Sequence, residues 1–240
     1  GSAWGFVLHA QPPSEEVSFP SLQSHDELEQ FIKENTREPQ AMEHAVKEAI
    51  RLDHRLAEGL VYGIMSKHYS NQKKYDQVIQ MIDQALPIFL ELGHGKYVGD
   101  SYNTLARVYR KKNQIPLGAH YYLLSIEAYE KSETYLKVPM GLNDLASLFC
   151  EYGNPSRGKE FLLKALHYYD EGQPLADTTQ HELLFLLYNN LGWVYSDNHQ
   201  MDSAIYFYER SLQIPVNNAK TLPLKACVNT HIAHEYIQAG

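Results

Sequence analysis

One eight-residue pattern recurs along the chain and restricts what the chain can fold into. Its clearest copy, YNNLGWVY, ends at Tyr195, and two more copies, YNTLARVY and LNDLASLF, end at Tyr109 and Phe149. Weaker copies end at Tyr69 and Tyr236. The five closing aromatic residues are therefore 40, 40, 46 and 41 residues apart. Self-similarity at a nearly constant interval of this size indicates a stack of repeats rather than a single globular core.

The order of large and small side chains predicts two helices in each repeat. Bulky residues seven and four positions before the closing aromatic residue share one face of a first helix. The residues three positions before it are small: Ser66, Ala106, Ala146, Gly192 and Ala233. Nine positions after it come Gly118, Gly158 and Ala204, with Val78 as a departure. Thirteen positions after it come the large residues Ile82, Tyr122, Leu162 and Tyr208, and sixteen after it the small residues Ala85, Ser125, Ala165 and Ser211. We therefore expect the two helices to pack antiparallel, with small residues facing large ones.

This pattern resembles the tetratricopeptide repeat (TPR) over residues 26–240. The resemblance implies an all-α fold, a right-handed superhelix of about five helix pairs plus one extra helix. It also implies a binding module whose concave side, lined by the first helices, holds a peptide or protein segment. The intervals exceed the standard 34 residues, and such lengthened repeats resemble those of kinesin light chains and of bacterial sensor and regulator proteins, including Bacteroidetes signalling proteins.

The sequence divides into three parts. Residues 1–10 comprise a cloning remnant, Gly1-Ser2, and an apolar stretch. That stretch is either the tail of a secretory signal peptide or an ordinary apolar strand or cap. Residues 11–25 are predicted to be an extended lead-in, and residues 26–240 the repeat domain. The last helix is expected at 224–239, where a repeat would next form its second helix, so we expect the natural chain to continue. Pro87 is expected to kink the helix that contains it.

Charge and composition exclude several partners. The formal net charge of −8 disfavours nucleic acid as a ligand of this region. No stretch is long and apolar enough to insert into a bilayer. Cys150 and Cys227 lie almost two repeats apart, too far to form a disulfide within one molecule. The sequence leaves open whether the chain forms a homodimer.

Motifs of catalysis and metal binding are missing from the sequence. It contains neither a glycine-rich phosphate loop nor a nucleophile placed beside a base. Among twelve histidines, His231 and His234 have helical spacing, but neither an acidic residue nor a cysteine joins them on the same face. We therefore predict neither catalytic residues, nor a metal site, nor a cofactor, and expect the chain not to be an enzyme. An enzyme accessory domain is the less favoured alternative.

Candidate binding residues occupy three positions of the first helix that the packing pattern does not require. These positions lie six residues before, two residues before and one residue after the closing aromatic residue. The first position holds Asn103, Asn143 and Asn189 in successive repeats. By resemblance to kinesin light chains and bacterial peptide-sensing TPR proteins, these amides would bind the backbone of an extended peptide. Alternatively, these amides form hydrogen bonds with neighbouring helices.

The other two positions predict a basic region and an apolar anchor. Lys67, Arg107 and Arg110 would bind an acidic side chain or a terminal carboxylate. Alternatively, these three basic residues belong to an ordinary solvent-exposed helix face and bind no ligand. Trp193 would bind a hydrophobic side chain in the other half of the groove.

The predicted function is that of a peptide-binding or protein-binding TPR module. By resemblance, it would form the sensory or regulatory region of a bacterial signal-transduction protein. Such a protein could be the histidine kinase of a two-component system or a transcriptional regulator, and export would make this region periplasmic. The alternative is a stand-alone TPR adaptor in the cytoplasm.

Overall fold

The structure, a computed structural model, describes residues 19–169, 178–216, 218–219 and 221–239. These residues form α-helices and one short 3-10 turn, without a β-strand among them. The helices are α1 His25–Asn35, α2 Pro39–Arg51, α3 Arg55–Asn71, α4 Tyr75–Glu91, α5 Gly95–Lys111, α6 Ile115–Lys131, α7 Val138–Glu151, α8 Pro155–His167, α9 Thr178–Asp197, α10 Met201–Gln213 and α11 Thr221–Ala239. The all-α solenoid predicted from the repeats is confirmed.

The helices pack in sequence, each against the next, so that pairs stack into a row. The first helix begins after Ser24, whose side chain accepts a hydrogen bond from the Glu27 backbone N–H at 3.2 Å and so caps the helix. The fourth pair differs from its neighbours. A 3-10 turn, Tyr135–Lys137, precedes α7, and α8 ends at His167. The expected signal-peptide remnant at 3–10 and most of the lead-in lie outside the described residues. Helix α4 continues through Pro87, and the kink stays a prediction.

The small and large positions of the repeat interlock as predicted. Ala106 and Ala146 are fully buried, and the second-helix residues Tyr122 and Leu162 that follow them are fully buried too. In the next pair, a Cβ atom at Gly192 would lie 2.4 Å from the ring of Tyr208, so only glycine fits there. The prediction is wrong at one position. Ala233 in α11 is exposed, because among the described residues no helix packs on that side of α11.

Three of the five closing aromatic residues stack on a second aromatic residue twelve positions later, a feature that sequence reasoning missed. The rings of Tyr109 and Tyr121 are 5.3 Å apart and tilted by 6°. Phe149 stacks on Phe161 at 5.6 Å and 14°. Tyr195 stacks on Phe207 at 5.1 Å and 10°. These pairs join the first helix of a repeat to its second helix and add to the stabilisation from area burial alone.

The turns within the repeats have one conformation throughout. Four positions after each closing aromatic residue, the backbone has a positive φ: 59° at Lys73, 60° at Asn113, 79° at Gly153 and 55° at His199. The following N–H bonds back to the carbonyl of the closing aromatic residue, as Gln114 does to Tyr109 at 2.8 Å. This is the Schellman ending of a helix, which satisfies carbonyls that would otherwise lack partners.

Candidate functional site

The first helices α3, α5, α7, α9 and α11 form one face of the solenoid, called here the first-helix face. One cleft on this face, called the basic cleft, lies between α3 and α5 and encloses about 690 Å³. Lys67 and Arg107, both predicted to bind ligand, line it. Gly63 also lines it, and the space in front of its Cα is open for 4 Å, so a ligand can approach the α3 backbone.

Positive charge dominates the basic cleft. Its lining includes four exposed basic residues: Lys67, Lys73, Arg107 and Lys111. None of them has a carboxylate within 4 Å among the residues that the structure describes. Asp100 also lines the cleft, but it forms an ion pair with Lys137 and accepts a hydrogen bond from the Tyr129 hydroxyl at 2.7 Å. The cleft therefore carries a net positive charge in an otherwise acidic protein.

Apolar side chains form the floor of the basic cleft. Leu60 and Ile64 of α3 are partly buried there, and Val108 of α5 and Phe89 of α4 are almost fully buried. The ring of Tyr97 lies 5.0 Å from that of Phe89. The cleft thus offers hydrophobic contact beneath a rim of cations.

A smaller cleft of about 340 Å³, called the tryptophan cleft, lies between α7 and α9. Trp193 lines it and is 40% exposed, as expected for an apolar anchor. Cys150 also lines it, and burial raises the pKa of its thiol to about 11. The thiol is therefore protonated at neutral pH and is a poor nucleophile.

Arg110 differs from the other predicted cations because it already has a partner. Its Nε donates a hydrogen bond to Glu151 at 2.9 Å, and a second guanidinium nitrogen donates to the other carboxylate oxygen. This two-point contact links α5 to the end of α7. A ligand carboxylate would have to compete with Glu151 for Arg110.

The predicted asparagine ladder lies mostly between helices. Asn103 and Asn143 are each only 7% exposed. Asn190, which the sequence did not single out, donates a hydrogen bond from Nδ2 to the Asn143 side-chain oxygen at 2.8 Å and so joins α9 to α7. Asn189 is partly buried, without a hydrogen bond to its side chain among the described residues. The burial of Asn103 and Asn143 favours the structural alternative, and ligand binding by the three asparagines stays a prediction.

Asp144 is the centre of this polar layer, and sequence reasoning missed it. It is the residue after Asn143 and lies among Asn103, Arg107 and Arg110. Burial raises the pKa of its carboxyl group, while the two positive charges and the two asparagine amides oppose that rise. The Asn103 Nδ2 atom interacts with this carboxylate but forms no hydrogen bond of good geometry within the described part of the chain. The signal that could have found Asp144 is an acidic residue where other repeats have Ile64, Thr104 or Asn190.

Within the described residues, groups of three or more side chains suited to holding a metal ion do not occur. A helix able to cross a membrane is likewise missing from the part of the chain that the structure covers.

Solved structures resemble this architecture, although the sequence matches no protein-family model and no curated protein. BtubC (BKLC) from P. vanneervenii is 20% identical in sequence, with a TM-score of 0.69 over 89% of this chain and 84% of that one. The fold is a TPR-like solenoid. PilF from Pseudomonas aeruginosa is 13% identical, with a TM-score of 0.58 over 89% and 87% of the two chains. A P. anserina kinesin light chain protein with TPR-like repeats is 13% identical, with a TM-score of 0.58 over 82% and 96%. At these identities the likeness shows the fold alone, and the resemblance to Bacteroidetes signalling proteins stays a prediction.

Proposed function

We propose that this TPR-like solenoid is a protein-binding module whose basic cleft holds an acidic part of an extended peptide or protein segment. The observation that carries the proposal is a set of four exposed cations around an apolar floor. None of them forms a salt bridge within 4 Å in the described chain, although Arg107 also attracts the buried Asp144. A net charge of −8 makes this concentration of positive charge unusual for the chain.

The chemistry of the cleft defines the ligand class. Cations on a partly desolvated rim attract carboxylates and increase the rate of association at low salt. The floor accepts an apolar side chain next to the acidic one. The tryptophan cleft, two repeats further along the first-helix face, would hold a second hydrophobic side chain. This division predicts a ligand with acidic and apolar residues rather than a purely charged one.

The cellular role is a further part of the proposal. We assign the module to the sensory or regulatory region of a bacterial signalling protein, supported by the length of the repeats. A periplasmic location is supported only by the apolar residues 3–10. N-terminal sequencing of the natural gene product should then find Gln11 as the first residue. Retention of residues 3–10 in the mature protein would remove the argument for export.

The binding proposal is tested by selecting ligands from a random peptide library and measuring affinities by calorimetry. We expect enrichment of peptides that combine Asp or Glu with an apolar residue. Arg107→Ala and Lys67→Ala should each weaken binding, more at low than at high salt, because salt screens exposed charges. Lys47→Ala, an exposed lysine of α2 outside the cleft, is the matched control. Selected peptides without acidic residues, or equal losses in the control, would contradict the proposal.

A further inference from the structure

Charge is divided along the first-helix face. Helices α3 and α5 carry six lysines and arginines and two acidic residues, whereas α7 and α9 carry four acidic residues and neither lysine nor arginine. The acidic residues of α7 and α9 are Asp144, Glu151, Glu182 and Asp197. The first helices therefore change from net positive to net negative between α5 and α7.

One repeat position shows this change most clearly. Two residues after the closing aromatic residue, α5 has Lys111, α7 has Glu151 and α9 has Asp197. The position lies one helical turn beyond that of Arg107 and Trp193, so the two positions share one side of the helix. Arg107 and Lys111 line the basic cleft, and Glu151 and Trp193 line the tryptophan cleft. The two clefts thus use the same repeat positions, with cations in the first and carboxylates in the second.

The carboxylates of the two halves differ in how far other side chains neutralise them. In the basic half, Glu58 pairs with Arg55 at 2.5 Å, and Asp100 pairs with Lys137. In the acidic half, Asp197 is exposed. No lysine, arginine or histidine nitrogen lies within 4 Å of its carboxylate in the part of the chain that the structure describes. Asp197 is therefore accessible to a cation from a ligand.

Glu151 and Asp197 both act on the tryptophan cleft. Glu151 lines the cleft and, although it pairs with Arg110, its side chain is 53% exposed. The pKa of the Cys150 thiol, raised mainly by burial, is raised further by the negative charges of Asp197 and Glu151. Cys150 also lines the cleft. Two carboxylates thus act on a cleft whose lining contains no basic residue.

The indole of Trp193 strengthens the attraction for a cation. Among the described residues, no lysine or arginine lies over its ring, although Lys159 lies over that of Tyr195 at 5.2 Å. A lysine or arginine side chain has an apolar stem that packs on an aromatic surface. Its charged end is attracted both to the face of the ring and to carboxylates. An aliphatic side chain in the cleft would use the ring alone and leave both carboxylates unused.

We propose that the tryptophan cleft binds a lysine or arginine side chain of the same segment whose acidic residue lies in the basic cleft. This inference rests on the proposed function and adds a second charged residue, so the ligand is bipolar. The stem of the cationic side chain supplies the hydrophobic contact expected at Trp193, and its charged end faces Glu151 and Asp197. Neighbouring first helices lie about 10 Å apart. The two clefts are therefore about 20 Å apart, a distance that about six residues of extended chain span.

Replacement of lysine by norleucine tests the cation site, because norleucine keeps the stem without the charge. Peptides enriched from the random library should contain a lysine or arginine about six residues from the acidic residue. With lysine at that position, the change to norleucine should weaken binding to the wild-type chain by about three- to fivefold in calorimetry, as expected for loss of an exposed cation–π contact and ion pair. The Asp197→Asn chain should distinguish the two peptides by about twofold or less.

Two further variants make the test specific. Asp197→Lys should reverse the preference, so that a peptide with glutamate at this position binds more tightly than the lysine peptide. Asp202→Asn is the matched control, since it removes an exposed carboxylate of α10 outside both clefts and should keep the full preference for lysine. Asp197 is exposed and is the last residue of α9, so circular dichroism melting curves should show folded variants.

The outcomes distinguish this inference from the proposed function. Enriched peptides without lysine or arginine, or a norleucine peptide that binds the wild type as tightly as the lysine peptide, would overturn the cation site alone. An unchanged preference for lysine in Asp197→Asn would do the same. Binding that requires the lysine but not the acidic residue would overturn the basic cleft as the anchor. A library that yields no binding peptide would overturn both.

Discussion

The two ends of the solenoid differ in how successive repeats are joined. From α1 to α7, the residues that follow the second helices α2, α4 and α6 have positive φ values at 40-residue intervals, 55° at Asp53, 69° at Gly93 and 55° at Glu133. In each case the next N–H bonds back to the last turn, as Thr134 does to Tyr129 at 2.9 Å. Before α11, by contrast, the residue that follows α10, Ile214, has an extended conformation.

This difference explains where the period is constant and where it changes. A Schellman ending fixes the direction of the chain after a helix, so every connection of this kind has the same length. The turns within repeats that follow the closing aromatic residues have the Schellman ending in every described case, up to His199. Among the described residues, the connections between repeats have this ending after α2, α4 and α6, the last at Glu133. The next interval between closing aromatic residues is 46 residues instead of 40. A constant period is therefore a property of the turns as much as of the helices.

The largest expected effect comes from removing a buried ring from one region and leaving the other intact. Tyr208 packs on Gly192 and His231 in the C-terminal region, and Tyr129 packs on Gly99 in the N-terminal region. Replacement of either residue with alanine should cost about 3–5 kcal/mol. Because repeats contact only their neighbours, Tyr208→Ala should loosen α9–α11 first. Hydrogen exchange measured by mass spectrometry checks this, and a uniform loss of protection along the chain would contradict it.

The same repeat position should respond differently in the two regions. Ala146→Leu places a larger side chain in a fully buried contact and should cost about 1–3 kcal/mol. Ala233→Leu changes the matching position of α11, which is exposed, and should leave the free energy of unfolding nearly unchanged. Urea denaturation of both variants decides the matter. Equal losses would show that the repeat register or the exposure of α11 is wrong.

The turns offer a smaller and more local test. Gly153→Ala forces a side chain into a backbone with φ of 79° and should cost about 1–2 kcal/mol. Glu133→Gly removes such a side chain at φ of 55° and should stabilise the protein by up to about 1 kcal/mol. Gly63→Ala is the control, because this glycine is helical with open space in front of it, and alanine there should stabilise by about 0.5–1 kcal/mol. Thermal unfolding that gives Gly153→Ala and Gly63→Ala the same sign would contradict the account of the turns.

The smallest expected effect is on the pH dependence of folding stability, through Asp144 in the polar layer. Burial raises the pKa of Asp144, so the folded protein binds this proton more tightly than the unfolded chain does. The stability gained from this binding is complete below the unfolded pKa of about 4 and is lost as pH rises through the folded pKa. Asp144→Asn should therefore be more stable than wild type at neutral pH, with the difference vanishing in acid. A less stable variant at neutral pH would show that attraction to Arg107 and Arg110 outweighs burial.

The sequence predicts the features that one repeat specifies by itself. Helix boundaries, the buried positions of each pair and Lys67, Arg107 and Trp193 on the first-helix face follow from local spacing. Contacts between repeats do not, because they depend on how far each pair is shifted relative to the next. The bond from Asn190 to Asn143 spans 47 residues, and the Arg110–Glu151 pair spans 41. Such pairings turn residues predicted to bind ligand into links between helices.

Binding of an acidic peptide to the basic cleft is the central claim, and a hydrogen-exchange footprint of the complex tests it most directly. The tightest peptide from the library would be added to the full chain, and protection would be compared with that of the free protein. The account predicts the strongest new protection in α3 and α5, around Lys67 and Arg107, with weaker protection near Trp193. Protection concentrated in the second helices α6 and α10 would contradict it, because neither helix contributes a residue to the basic cleft or the tryptophan cleft.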